Sequence, residues 1–190
     1  DRSCPDISAH ALAALAAWEP DFIRKGVKAQ RDVREIRKAE AGLIRYLERT
    51  QAKDGSWTPL WFGNQDAKDG KNPVIGTARV VDALRAAPGA WRGSGVGSGE
   101  KGVGKMLAQG EAWLLGAQRE DGGWGAGAGS TVEETAWAVI ALADGDAACQ
   151  GAARQGCGWL VERWEKGEAR PAPIGLYFSS LWYHEKTYPL

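Results

Sequence analysis

No stretch of this 190-residue chain approaches the ~20 consecutive apolar residues that cross a bilayer, and no signal-peptide pattern opens it. A spanning helix is excluded on those grounds, while peripheral contact with a membrane stays open. Neither sign of charge is in excess, since 24 Lys and Arg face 24 Asp and Glu. A surface built for nucleic acid or for an acidic partner is therefore not expected. Cysteine is scarce and unpaired: Cys4, Cys149 and Cys157 are odd in number and lack CxxC spacing. Reduced, intracellular thiols fit that pattern better than a disulfide framework.

Tryptophan is abundant by contrast, with ten in the chain. Each buried indole removes roughly 150–250 Å² from water, worth a few kcal/mol. Such an excess needs a use, as structural clamps or as a π-rich wall. The chain opens at Asp1 without methionine and stops at Tyr188-Pro189-Leu190 with no polar tail. An excised part of a longer protein is the expectation.

Internal repetition organises the chain. Tyr46-Leu47-xxx-Gln51-xxx-Gly55-x-Trp57 returns as Trp113-Leu114-xxx-Gln118-xxx-Gly122-x-Trp124. A third copy keeps Trp159-Leu160 but has Trp164, Glu168 and Arg170 in place of Gln, Gly and Trp. The copies fall at about 39–57, 106–124 and, degenerate, 152–170. A second motif interleaves with them. Ser8-Ala9-His10-Ala11-Leu12 matches Thr77-Ala78-Arg79-Val80-Val81, and both match Thr135-Ala136-Trp137-Ala138-Val139. Each unit is one small-residue helix followed by one aromatic-Leu…Gln helix.

The two helix types differ in kind. From about Val33 to Thr50, Val33, Ile36, Leu43 and Leu47 recur at helical spacing against Arg34, Arg37, Lys38, Arg45 and Arg49. The small-residue segments are apolar nearly all round and must be buried on both sides. Outer amphipathic helices around an inner apolar ring describe an all-α, double-layered α/α toroid, incomplete over this length. Asp54-Gly55 and Asp121-Gly122 are turn signals after the outer helices. Residues 130–134, Ser-Thr-Val-Glu-Glu, offer overlapping capping boxes, with Glu133 and Glu134 as capping residues. Residues 89–104 read as a glycine-rich surface loop; without a preceding strand they make a poor phosphate cradle.

The spacing aromatic-Leu-xxx-Gln-xxx-Gly-x-Trp resembles the QW motif of triterpene cyclases. Asp6-Ile7-Ser8-Ala9-His10, Asp54-Gly55-Ser56-Trp57 with Trp61, Asn72-xxx-Gly76-Thr77, Asp121-Gly122-Gly123-Trp124-Gly125 and Tyr177-Phe178 extend the likeness. Their order is that of the C-terminal part of a squalene–hopene-cyclase-like class II terpene cyclase, so residues 1–190 are expected to form that segment of the toroid. The resemblance implies a polyprenyl, squalene-like hydrocarbon substrate. An aspartic acid protonates it, and a carbocation cascade closes rings inside a dry aromatic cavity. Aromatic faces stabilise such a cation without trapping it, and exclusion of water prevents quenching. The resemblance implies no metal or organic cofactor. It implies a cytoplasmic enzyme in peripheral contact with membrane. The DxDD acid of such cyclases is missing: Asp144-Gly145-Asp146-Ala147 is incomplete. In the family it precedes the Asp-xxx-His segment, so it is expected before Asp1, in the N-terminal part of the same chain, and the fragment alone is expected to be inactive.

By the same resemblance, Asp6 and His10 support that acid, with a cationic or hydrogen-bonded imidazole stabilising the carboxylate it leaves. The residues alone also allow Asp6 as a helix N-cap after Pro5 and His10 as a packed core residue. Trp61 with its neighbour Phe62, Trp137, and the pair Tyr177 and Phe178 are the candidate substrate-facing aromatics. Trp61 reads equally as a loop aromatic capping the core, and Trp137 as plain core. Pro73, Ile75, Leu181 and His184 stand where the family usually has tyrosine, which points to a divergent product or substrate. Gln51, Trp57, Gln118 and Trp124 are assigned to structure, the amides tying adjacent units to a neighbouring helix end. Three rivals remain. A protein prenyltransferase β subunit shares the toroid but needs an Asp/Cys/His zinc set, and only His10 and His184 are present. Gln155-Gly156-Cys157-Gly158 is followed by Trp159-Leu160 where a thioester toroid requires Glu-Gln. A non-catalytic scaffold is the third.

Overall fold

The computed structural model describes residues 3–24, 29–91, 99–168, 174–176 and 181–182. Its helices are α1 (Pro5–Arg24), α2 (Ala29–Thr50), α3 (Pro73–Ala86), α4 (Gly99–Ala117), α5 (Val132–Ala143) and α6 (Ala147–Glu165). Three short strands accompany them: β1 (Phe62–Asn64), β2 (Ile174–Leu176) and β3 (Leu181–Trp182).

Helix starts follow from side chains that satisfy the free amides of the first turn. Asn72 Oδ1 accepts from Ile75 N at 3.1 Å, with Pro73 opening α3, and Asp146 Oδ1 accepts from Cys149 N at 2.9 Å for α6. Thr131 Oγ1 accepts from Glu134 N at 3.2 Å and begins α5. Only the Thr131 half of the predicted capping box forms: the Thr131 N–H donates to Trp124 O, and the Glu134 carboxylate accepts the Thr131 hydroxyl instead.

The small-residue helices α1, α3 and α5 lie side by side, and each packs on the amphipathic or glycine-containing helix that follows it. This is a two-layered arc of three helix pairs, the toroid segment expected from the repeat. Because α3 is apolar nearly all round, it can be enclosed on both flanks, and Val74 to Ala78, Val80, Val81, Ala83 and Leu84 are all buried. Two core clusters result. One gathers Leu12, Leu47, Leu84 and Met106 around Trp57; the other gathers Leu114, Ala138, Leu142 and Ala153 around Trp124.

The structure departs from the sequence reading in two places. Part of the expected glycine-rich loop is helical, since α4 already begins at Gly99, while residues 92–98 lie outside the described residues. Burial of Val103 and Met106 outweighs the weak helix propensity of the nearby glycines. The strands form a small antiparallel sheet in the order β1-β2-β3, with Phe62 opposite Leu176 and Leu176 opposite Leu181. Runs of two or three residues carry no legible period.

Candidate active site

The two intact repeats are closed by the same set of bonds. Gln51 Nε2 donates to Gly55 O (3.0 Å) and across to Met106 O in α4 (2.9 Å). Gln118 Nε2 does the same with Gly122 O (2.9 Å) and Ala152 O in α6 (3.0 Å). The carbonyls reached lie within these helices, not at the helix ends that the sequence suggested. Close approach is possible because Gly110 and Gly156 follow one turn later. A Cβ at Gly110 would stand 3.0 Å from Trp57 Cζ3, and one at Gly156 2.7 Å from Trp124 Cζ3.

Trp57 Nε1 donates to Leu47 O and Trp124 Nε1 to Leu114 O, both at 2.8 Å, so neither fully buried indole leaves a donor unmade. The turns carry Gly55 at φ 94° and Gly122 at φ 87°, left-handed values that favour glycine. Asp54 and Asp121 accept from Trp113 (3.2 Å) and Trp159 (3.0 Å) of the following outer helix. The eroded third copy therefore keeps its share of the clamp through Trp159. Amide and hydroxyl donors from Ser56 hold the Asp54 carboxyl below the usual range. Partial burial pushes Asp121 the other way, but Gly123 N–H, Ser130 and Trp159 outweigh it and the net shift is downward.

The candidate chemistry lies on the inner helices. Asp6 is buried in the first turn of α1, so it is not the N-cap that the sequence also allowed. Its Oδ1 accepts from Cys4 Sγ at 2.5 Å, and Cys4 in turn accepts from Leu60 N at 2.9 Å. Burial, then the Asp6 carboxylate, pushes the Cys4 thiol up to about 11, so it stays a donor. One turn on, His10 is exposed, contrary to a packed core residue. Its Nδ1 lies 2.9 Å from Arg79 Nη1, and the Arg79 guanidinium stacks 4.2 Å from the ring centre of Trp137. His10, Arg79 and Trp137 occupy the same register of the repeat on α1, α3 and α5, and the fold sets them in one row. With Asp6, Ala13 and Asp82 they line a narrow cleft of about 20 Å³.

This face is more charged than an aromatic wall. Burial raises the Asp82 carboxyl, opposed by neighbouring His10 and the Arg79 guanidinium. Burial raises Glu133 as well, with Arg79 again opposing. Nothing local marks Arg79 as functional; the one signal in the sequence is its register with His10 and Trp137.

The other predicted aromatics are placed differently. Trp61 and Phe62 are half-buried, Phe62 opening β1, and neither lines that cleft. Trp61 still sits near the pair, because its backbone amide joins that of Leu60 in bonding Cys4. Tyr177, Phe178 and His184 lie outside the described residues. Glu134, expected as a capping residue, is a buried bridge: Oε1 accepts from Asn64 Nδ2 (3.1 Å) and Ala126 N (3.0 Å), and Oε2 from Thr131 Oγ1 (2.6 Å). Asn64, which nothing local in the sequence marked, thereby ties β1 to α5. A larger cleft of about 490 Å³ beside Asn64, Asp121 and Arg163 shares no residue with the His10 row. Among the described residues no cluster of His, Cys, Asp and Glu could hold a metal ion, and no helix is long and apolar enough to cross a membrane.

Three helix pairs in two layers, tied by equivalent Gln and Trp bonds, place the chain in the class of α/α-toroid proteins that includes the terpene cyclases. Residues 1–172 match the family model of the squalene–hopene cyclase C-terminal domain, and the chain belongs to that family. An ent-copalyl diphosphate synthase from Streptomyces platensis has the same fold, with a TM-score of 0.63 at 22% identity over 93% of this chain and 30% of that one. Over 76 residues the chain is 46% identical to the uncharacterized protein blr2149 of Bradyrhizobium diazoefficiens and 43% identical to the uncharacterized protein y4kT of Sinorhizobium fredii. Each match covers 40% of this chain and 15% of the relative.

Proposed function

We propose that residues 1–190 supply the C-terminal part of the catalytic toroid of a cyclase that protonates a linear polyprene and closes rings through a carbocation cascade. The observation that carries this reading is the narrow cleft on the inner helices, lined by Asp6, His10, Arg79 and Trp137. Asp6 and His10 would support an acid of DxDD type supplied by the part of the protein preceding Asp1. Trp137, Trp61, Phe62, Tyr177 and Phe178 are proposed to face the hydrocarbon. Aromatic faces are worth about 1–2 kcal/mol each to a desolvated cation.

One observation favours a second reading, a scaffold that kept the toroid and lost the chemistry. Arg79 occupies a face of Trp137 and places a fixed positive charge where a carbocation would be repelled. The deciding experiment incubates the full-length protein with squalene, with shorter polyprenes and with their diphosphates, since the structural neighbour is named for copalyl diphosphate. Cyclic products are sought by mass spectrometry. Cyclisation of any of them supports the enzyme; failure on all of them leaves the scaffold.

A further inference from the structure

The contact between Arg79 and His10 fixes more than a position. A guanidinium carries five N–H donors and no acceptor, and it does not lose its charge in a protein. At 2.9 Å from Arg79 Nη1, His10 Nδ1 can only be the acceptor. An imidazole that accepts at Nδ1 carries its single proton on Nε2. A cationic ring would instead bring two N–H groups and two positive charges into contact. The guanidinium also stacks on the Trp137 ring, 4.2 Å from its centre. Asp82 and Glu133 supply the balancing negative charge around it. Three inner helices therefore each contribute one residue to a single device.

We propose that Arg79 is a positioning residue: braced on Trp137, it donates to His10 Nδ1 and holds His10 as the neutral tautomer protonated at Nε2. Of the two imidazole forms that could support an upstream acid, this selects the neutral hydrogen-bond donor and excludes the cation. The consequence for catalysis rests on the cyclase reading above; the tautomer does not.

The test is isotope-edited NMR of the histidine ring nitrogens in the full-length protein at neutral pH, with His10→Gln to assign the His10 signals. The expected spectrum shows one neutral tautomer, Nδ1 bare and Nε2 protonated. Arg79→Met is expected to release it to a tautomer mixture or an imidazolium, while Arg79→Lys, which keeps a donor, retains it. An imidazolium or an Nδ1-protonated ring in the unaltered protein overturns the proposal. So does a spectrum left unchanged by Arg79→Met in a variant that melts as the parent does. If the parent turns over a polyprene, Arg79→Met should lower kcat on the order of ten- to hundredfold with KM little moved, and Arg79→Lys should restore part of it. A tautomer that changes while kcat holds overturns the positioning role. Correct spectra with no turnover of any polyprene sink the cyclase reading and leave the tautomer assignment standing.

Discussion

The clamp at the turns and the row on the inner helices are built from one repeat, yet they use it in opposite ways. In the clamp, equivalent positions carry the same residues and make the same bonds: Gln51 and Gln118, Trp57 and Trp124, Asp54 and Asp121. In the row, equivalent positions carry three different residues, His10, Arg79 and Trp137, which make contacts from one unit to the next. A clamp solves the same packing problem in every unit, so its chemistry repeats. A row facing one shared space solves a problem once, and its members must differ to complement one another.

The sharpest way to break that contrast is to strip a clamp. Trp124→Ala should cost about 3–5 kcal/mol, read as a fall in the urea midpoint, because a fully buried indole and its bond to Leu114 are both lost. Glu134→Gln should cost about 2–4 kcal/mol by the same measurement. Its amide would turn a donor toward Asn64 Nδ2 or Ala126 N, leaving buried groups facing without an acceptor. Gln118→Leu should cost about 1–3 kcal/mol, since the carbonyl of Gly122 loses a partner and α6 loses its tie to the turn. On the row, His10→Gln should move stability by less than about 0.5 kcal/mol, as befits an exposed side chain. Cyclisation by the full-length protein, if His10 acts as proposed, should fall by orders of magnitude.

The finest distinction is in pH. Asp54 and Asp121 titrate low in the folded chain, so the stability they contribute is present above the ordinary carboxylate range and is lost as pH falls through their lowered values. Asp82 and Glu133 titrate high, so their contribution is fully present below the ordinary range and is lost as pH rises through their raised values. Asp121→Asn should therefore flatten the acid limb of the stability curve and Asp82→Asn should steepen it. Equal slopes in the two variants would erase the difference between the regions.

Much of the fold was legible because its period is long and its residues are distinctive. The spacing from Gln51 to Trp57, met again from Gln118 to Trp124, announced the units before any helix was placed. The alternation of small-residue and amphipathic helices gave the two layers. The shared register of His10, Arg79 and Trp137 was written in the same repeat. Less legible was what neighbours do to a residue. Asn64 sits in a three-residue strand, and its bond to Glu134 reaches across 70 residues, more than a whole repeat. Arg79 looked like one basic residue among many until α1 and α5 were set against α3.

The sequence alone therefore determined the repeating unit, its caps and its buried indoles, because each is written in local periodicity and in residues a few turns apart. Only the tertiary structure decided that the row is charged, that Asp6 is held by Cys4, and that an arginine lies between a histidine and a tryptophan. Those outcomes depend on distances between helices, and side chains far apart in the chain acquire a partner, or a proton, only once those distances are fixed.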